Sequence, residues 1–326
     1  MVSPNLNFKC ILILGATASG KTALAHNLAD KLNAQNKPCE LVNLDAFQIY
    51  KELNIGTAKP THEEILKYNY HGVNICELNE NLDANTFARL SWEFCASIAQ
   101  KNKIPICVGG SGLYLRAFLH GLDSLPPRDE NIRTQIKEVA NAHGWPYCHE
   151  WLAKVDPKRA CELHPNDKTR IERALEIFLL TGKPQSEERS KENMLKEQDT
   201  LFPCYVIHCK QEPLILKERI CLRVEQIFAQ GWTQEVEQLF VKYGESLNSF
   251  HAMQAIGYKQ ILSSLFHTKT SQIPQGDLVD KISTLTWQYA KKQLTWCAKE
   301  KVDFTILNNN EENIDDLLKL VICWKP

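Results

Sequence analysis

Gly15-Ala16-Thr17-Ala18-Ser19-Gly20-Lys21-Thr22 is the stretch on which the reading of this chain turns. An apolar run, Ile11-Leu12-Ile13-Leu14, precedes it, and Leu24, Leu28 and Leu32 follow at helical spacing. Strand, glycine-rich turn and helix in that order, with the pattern G-x-x-x-x-G-K-[ST], make a phosphate-binding loop. Its glycines permit a tight turn whose N–H groups converge on an anion at the positive end of the helix dipole. Lys21 is expected to reach the outer phosphoryl oxygens, and the Thr22 hydroxyl to ligate Mg²⁺. Read as a mere glycine turn with a surface lysine, the motif leaves its flanking strand and helix as coincidence. The fold predicted is α/β: a parallel sheet of the P-loop type, flanked by helices.

At 326 residues the chain is longer than one ordinary domain, so two domains or one large insertion are expected. Apolar residues make up 44% and charged residues 24%, as in soluble globular proteins. With a formal net charge of −1, a polyanionic partner must be met by a local basic patch. None of the twelve cysteines forms a C-x-x-C pair, and Cys204 and Cys209, with His208, lack a second ligand pair at zinc spacing. Residues 1–7 are short and polar with no secretory pattern, and no run of eighteen apolar residues occurs, so a cytoplasmic protein without a membrane partner is expected.

Along the chain, Leu41-Val42-Asn43-Leu44 reads as a second strand ending at Asp45. In a parallel sheet that end faces the ligand crevice, which suits Asp45 to a Mg²⁺ ligand, a general base or a turn cap. Residues 82–100 read as a helix, and 104–108 as a strand running into Gly109-Gly110-Ser111-Gly112. Pro126-Pro127 then marks a break. Residues 123–198 carry helical, mixed-charge patterns and read as a helical insertion in a core of residues 1–122 and 199–326. A polar stretch, 185–200, closes the insertion. Strand pattern returns at Cys204-Tyr205-Val206-Ile207, followed by a helix with Arg219 and Arg223 four residues apart, suited to clamp a diphosphate. Between 281 and 301, five lysines against one glutamate alternate with Trp287, Tyr289 and Trp296, fitting either a nucleic-acid face or an amphipathic helix with core aromatics. Residues 308–316 read as a polar, acidic, peripheral tail.

These motifs occur together in one family. The chain resembles the bacterial tRNA dimethylallyltransferases through the glycine-rich loop, Asp45 to Tyr50, Ile55-Gly56-Thr57-Ala58-Lys59-Pro60, Gly109-Gly110-Ser111, His164-Pro165-Asn166-Asp167, Ile256-Gly257-Tyr258 and Lys292-Gln293-Leu294-Thr295-Trp296. The resemblance implies transfer of a dimethylallyl group from dimethylallyl diphosphate to N6 of adenosine 37 in the tRNA anticodon loop, with Mg²⁺ and release of diphosphate. It implies that Asp45 is the general base. Thr17, Ser19, Gly20, Lys21, Thr22 and an arginine of the Arg219/Arg223 pair would hold the diphosphate. It further implies tRNA contacts at Asp45-Ala46-Phe47-Gln48, Ser111, Arg133, Thr169-Arg170-Ile171-Glu172-Arg173, Gln254-Ala255-Ile256-Gly257-Tyr258-Lys259 and Lys291-Lys292-Gln293-Leu294-Thr295-Trp296. The helical insertion would close over the anticodon stem-loop. A monomer is expected. Ala16 and Ala46 stand where the family usually has proline and serine. The competing reading is a P-loop kinase that phosphorylates a small molecule with ATP.

Overall fold

A computed structural model describes residues 8–121, 125–187, 200–266, 274–307 and 311–324. The N-terminal residues 1–7 and residues 188–199 of the polar stretch lie outside them. The chain divides into two compact units, Met1–Gly121 with Thr200–Pro326, and Leu122–Asp199.

The first unit is built on five parallel strands, β1 (Cys10–Leu14), β2 (Cys39–Asn43), β3 (Ile104–Gly109), β4 (Cys204–Lys210) and β5 (Phe304–Leu307). Their order is β2-β3-β1-β4-β5. Every residue of β1 is buried, which explains its unbroken apolar sequence: a central parallel strand is covered on both faces. On one face the helices Lys21–Ala34 and Glu311–Cys323 seat Leu24, Leu28, Leu317 and Val321 against Ile11, Ile13 and Ile207. The last helix corrects the expectation of a peripheral tail, because Ile314 and Leu317 are core residues. Residues 308–310 of that stretch lie outside the described ones.

Register decides where the loops emerge. Leu14 pairs with Gly109 on one side and His208 on the other, and Asn43 pairs with Val108. The carboxyl ends of four strands are therefore level. β1 sits where the strand order turns outward in both directions, the position at which open parallel sheets bind ligands.

The second unit is helical: Glu130–His143, Trp145–Val155, Pro157–Glu162 and Lys168–Thr181. Ile136, Leu152, Ile171 and Leu175 form its core. Arg133 is buried there and donates from Nε and Nη2 to the two oxygens of Glu176, at 2.9 and 3.0 Å.

Candidate functional site: an anion cradle beside an apolar chamber

The glycine-rich loop leaves β1 at the carboxyl edge. Ser19 N–H donates to the Ala16 carbonyl (3.2 Å), closing a turn. Ala18 and Gly20 both hold left-handed φ, 61° and 95°. For a residue with a β-carbon this conformation costs roughly 1–2 kcal/mol, and it persists only where the surroundings fix it. A Cβ on Gly15 would come within 2.6 Å of the Cys209 carbonyl oxygen, so the loop's first position requires glycine. Gly20 caps the helix Lys21–Ala34, so the loop opens onto the helix N-terminus. Lys21 Nζ rests 3.3 Å from the Ala16 carbonyl. Burial and the neighbouring Arg223 guanidinium push the Lys21 pKa down, and the negative charge of Asp45 works against them.

A cavity of about 320 Å³ opens over this loop, lined by Thr17, Lys21, Thr22, Asp45, Gln48, Arg223, Tyr289 and Gln293 among others. A second, of about 300 Å³, lies beside it. Its walls are largely apolar: Ile220, Val224 and Ile227 on the helix Pro213–Ala229, with Phe47, Trp232 and Ile256. Thr17, Asp45, Thr57, Arg223 and Tyr289 line both cavities and form their common wall.

Asp45 is rigidly presented on that wall. Its Oδ1 accepts the N–H groups of Phe47 (2.9 Å) and Gln48 (3.4 Å), and its own N–H donates to Asn43 Oδ1 at 3.1 Å. Oδ2 has no hydrogen-bond partner among the described residues. The hydroxyl of Tyr289 lies 3.5 Å from Ser111 Oγ, and burial together with the Asp45 charge raises its pKa, keeping it a hydroxyl.

The loop carrying Thr57 is held from behind. Glu235 accepts N–H bonds from Asn54 (3.0 Å), Ile55 (2.8 Å) and Gly56 (3.4 Å), and the Tyr258 hydroxyl donates to the same carboxylate. Gly56 and Gly257 both lie flat on the Trp232 indole, where a Cβ would intrude to 1.9 and 1.8 Å respectively.

Residues 48–300 match the profile of IPP transferase. The chain belongs to the IPP transferase family. Among related proteins, the tRNA dimethylallyltransferase of Dechloromonas aromatica is 37% identical over 286 residues, 88% of this chain and 87% of that protein. The tRNA dimethylallyltransferase of Geobacter sulfurreducens is 38% identical over 293 residues, 90% and 89% of the two chains. The tRNA isopentenylpyrophosphate transferase of Bacillus halodurans has a similar crystal structure, with TM-score 0.66 and 28% identity over 97% of this chain and 96% of that one. A eukaryotic dimethylallyltransferase acting on tRNA reaches TM-score 0.76 at 26% identity, covering 98% of this chain and 81% of that one.

Within this IPP transferase, the residues expected at the site separate into distinct groups. Arg223 lines both cavities, whereas Arg219 is exposed and lines neither, so the arginine of the pair at the cradle is Arg223. Phe47, Ser111, Gln254, Ala255 and Ile256 line the apolar chamber, and half-buried Ala46 sits beside it in sequence. Gln48 lines the cradle, its amide committed to the Thr57 and Ala58 carbonyls (3.2 and 3.3 Å). Thr169, Arg170, Lys259, Lys291, Lys292 and Thr295 are exposed.

Others are engaged by contacts within the protein. Ile171 is core, while Arg133 and Glu172 are buried and ion-paired. Half-buried Arg173 is spent on Glu176 and the Pro126 carbonyl (both 2.7 Å). Gly257 is pressed on Trp232, and the Tyr258 hydroxyl on the chamber wall is committed to Glu235 and Gly56. Leu294 and Trp296 are half-buried, the Trp296 indole lying 3.0 Å from where a Cβ on Gly112 would stand. Gln293 is buried between two loops.

Sequence reading missed Glu235 and Trp232 as parts of the site, and placed Tyr289 only in a basic, aromatic stretch that fitted a nucleic-acid face or a core helix. Tyr289 had a usable signal, one helical turn before Gln293 on the helix Gln275–Cys297. Glu235 and Trp232 had none, since what they hold lies about 180 residues earlier.

Proposed function

We propose that the cradle holds the diphosphate of dimethylallyl diphosphate and the adjoining chamber the target adenine of tRNA. The single observation behind this is the common wall: Asp45 and Arg223 border both cavities. The base must leave its stack to reach such a chamber, which a single-stranded anticodon loop permits. With Oδ1 anchored, Asp45 turns Oδ2 to the exocyclic amine of adenosine 37. As N6 attacks the allylic carbon, the C–N bond forms, the C–O bond to diphosphate breaks, and the N6 proton passes to Asp45. Lys21, Arg223 and the loop N–H groups meet the charge that develops on the departing diphosphate.

Thr22 lines the cradle at the first turn of its helix, and no group of three or more His, Cys, Asp and Glu side chains among the described residues could hold a metal. One hydroxyl completed by phosphate oxygens and water is an all-oxygen donor set of the kind that suits Mg²⁺. Bound there, Mg²⁺ would supply positive charge to the leaving group. No helix among the described residues is long and apolar enough to cross a membrane.

The test is product analysis after incubation of tRNA with dimethylallyl diphosphate or with ATP. Prenylated adenosine formed without ATP is expected. ATP-dependent phosphorylation of a small molecule with no prenylated product would instead establish a kinase.

A further inference from the structure

The resemblance assigns Gln293 to tRNA, but the residue is 5% exposed and both ends of its amide are engaged inside the protein. Oε1 accepts the N–H of Thr17 at 2.9 Å, and Nε2 donates to the Gly110 carbonyl at 2.7 Å. Thr17 belongs to the phosphate loop after β1, and Gly110 to the glycine turn after β3. One planar amide therefore spans two loops that leave adjacent strands. Position 110 is shaped around it: a Cβ there would stand 2.8 Å from Gln293 Nε2 and 2.6 Å from the Gly15 carbonyl oxygen. The same turn carries Ser111, which lines the chamber, and Gln293 itself lines the cradle.

We propose that Gln293 is a positioning residue for the diphosphate site, a strut that fixes the phosphate loop against the Gly109-Gly110 turn, and not a reader of RNA. This rests on the cradle being the diphosphate site. Only an amide does the work in full, because one group must accept from an N–H while its neighbour donates to a carbonyl. Leucine would leave both backbone groups buried without partners. Glutamate keeps the shape, but as a carboxylate it cannot donate to the Gly110 carbonyl and brings a negative charge to an anion site. Protonated, it regains both bonds.

The test compares full-length wild type, Gln293→Leu and Gln293→Glu, with inorganic pyrophosphate and an anticodon stem-loop titrated separately by calorimetry. Wild type should bind pyrophosphate, and its failure to do so would count against the cradle reading itself. Gln293→Leu should weaken pyrophosphate by about tenfold, the effect of one to two buried hydrogen bonds, with stem-loop affinity unchanged. Gln293→Glu should be weaker still at pH 8, and its deficit relative to wild type should shrink at pH 6. Should Gln293→Leu fail to fold, the glutamate variant and its pH response decide. Wild-type pyrophosphate affinity in either variant, a deficit confined to the stem-loop, or a glutamate deficit equal at both pH values would overturn the proposal.

Discussion

The two cavities differ in what starts them. The cradle begins from the phosphate loop, eight consecutive residues shaped by glycine and by left-handed Ala18, and side chains such as Asp45, Arg223 and Tyr289 close its sides. The apolar chamber is assembled from side chains at residues 47, 220–227, 232 and 254–258, brought together only by folding. An anion is held by N–H groups whose direction a short sequence can set, whereas an aromatic base needs walls that no single segment supplies. Asp45 belongs to both cavities, and changes to the wall, the cradle and the chamber should therefore separate chemistry, anion affinity and base acceptance.

The largest effect is expected at the wall. Asp45→Asn keeps the shape and removes the proton acceptor, so single-turnover transfer should fall by about 10²–10⁴-fold, with pyrophosphate affinity not reduced. Near-normal transfer in that variant would take Asp45 out of the base role. Next comes the cradle. Arg223→Ala should raise the KM for the allylic diphosphate by about a hundredfold, as loss of a charge-assisted contact predicts. Arg219→Ala should stay at the wild-type value; equal effects would erase the distinction between the two arginines.

The cradle should also respond to pH. Burial and Arg223 lower the Lys21 pKa in the unliganded protein, and a bound diphosphate favours the ammonium form. Anion binding is then linked to proton uptake, and affinity should decline as the pH rises through the lowered Lys21 pKa. Lys21→Met should bind weakly and lose that part of the decline in a calorimetric pH series.

A smaller change concerns the chamber. Gly56→Ala places a methyl group against Trp232, and overpacking of this kind costs about 1–3 kcal/mol. A lower Tm is expected, with transfer impaired more through tRNA than through pyrophosphate. The opposite bias would mean that Thr57 and its loop serve the cradle first.

The same contrast explains how much could be read from the sequence. β1, the phosphate loop and the following helix announce themselves because their determinants are local. Asp45 was legible because the end of a parallel strand has a known direction. β5 was not, being a four-residue edge strand, and acidic residues at 311, 312, 315 and 316 hid the apolar face of the last helix. At the site, Arg219 and Arg223 could not be told apart by spacing, since the two lie on one helix and tertiary packing alone selects the inner one. Gln293 and Arg133 pose a related problem: polar side chains in a motif look like ligands for RNA, and spacing gives no sign of the partners within the protein that burial assigns to them.

The central claim is that leaving group and target base occupy neighbouring spaces at the same time, across Asp45. It is tested most directly by titrating an anticodon stem-loop into protein already saturated with pyrophosphate. A ternary complex is expected, with stem-loop affinity undiminished by the anion. Mutual exclusion, with the stem-loop displacing pyrophosphate, would contradict it.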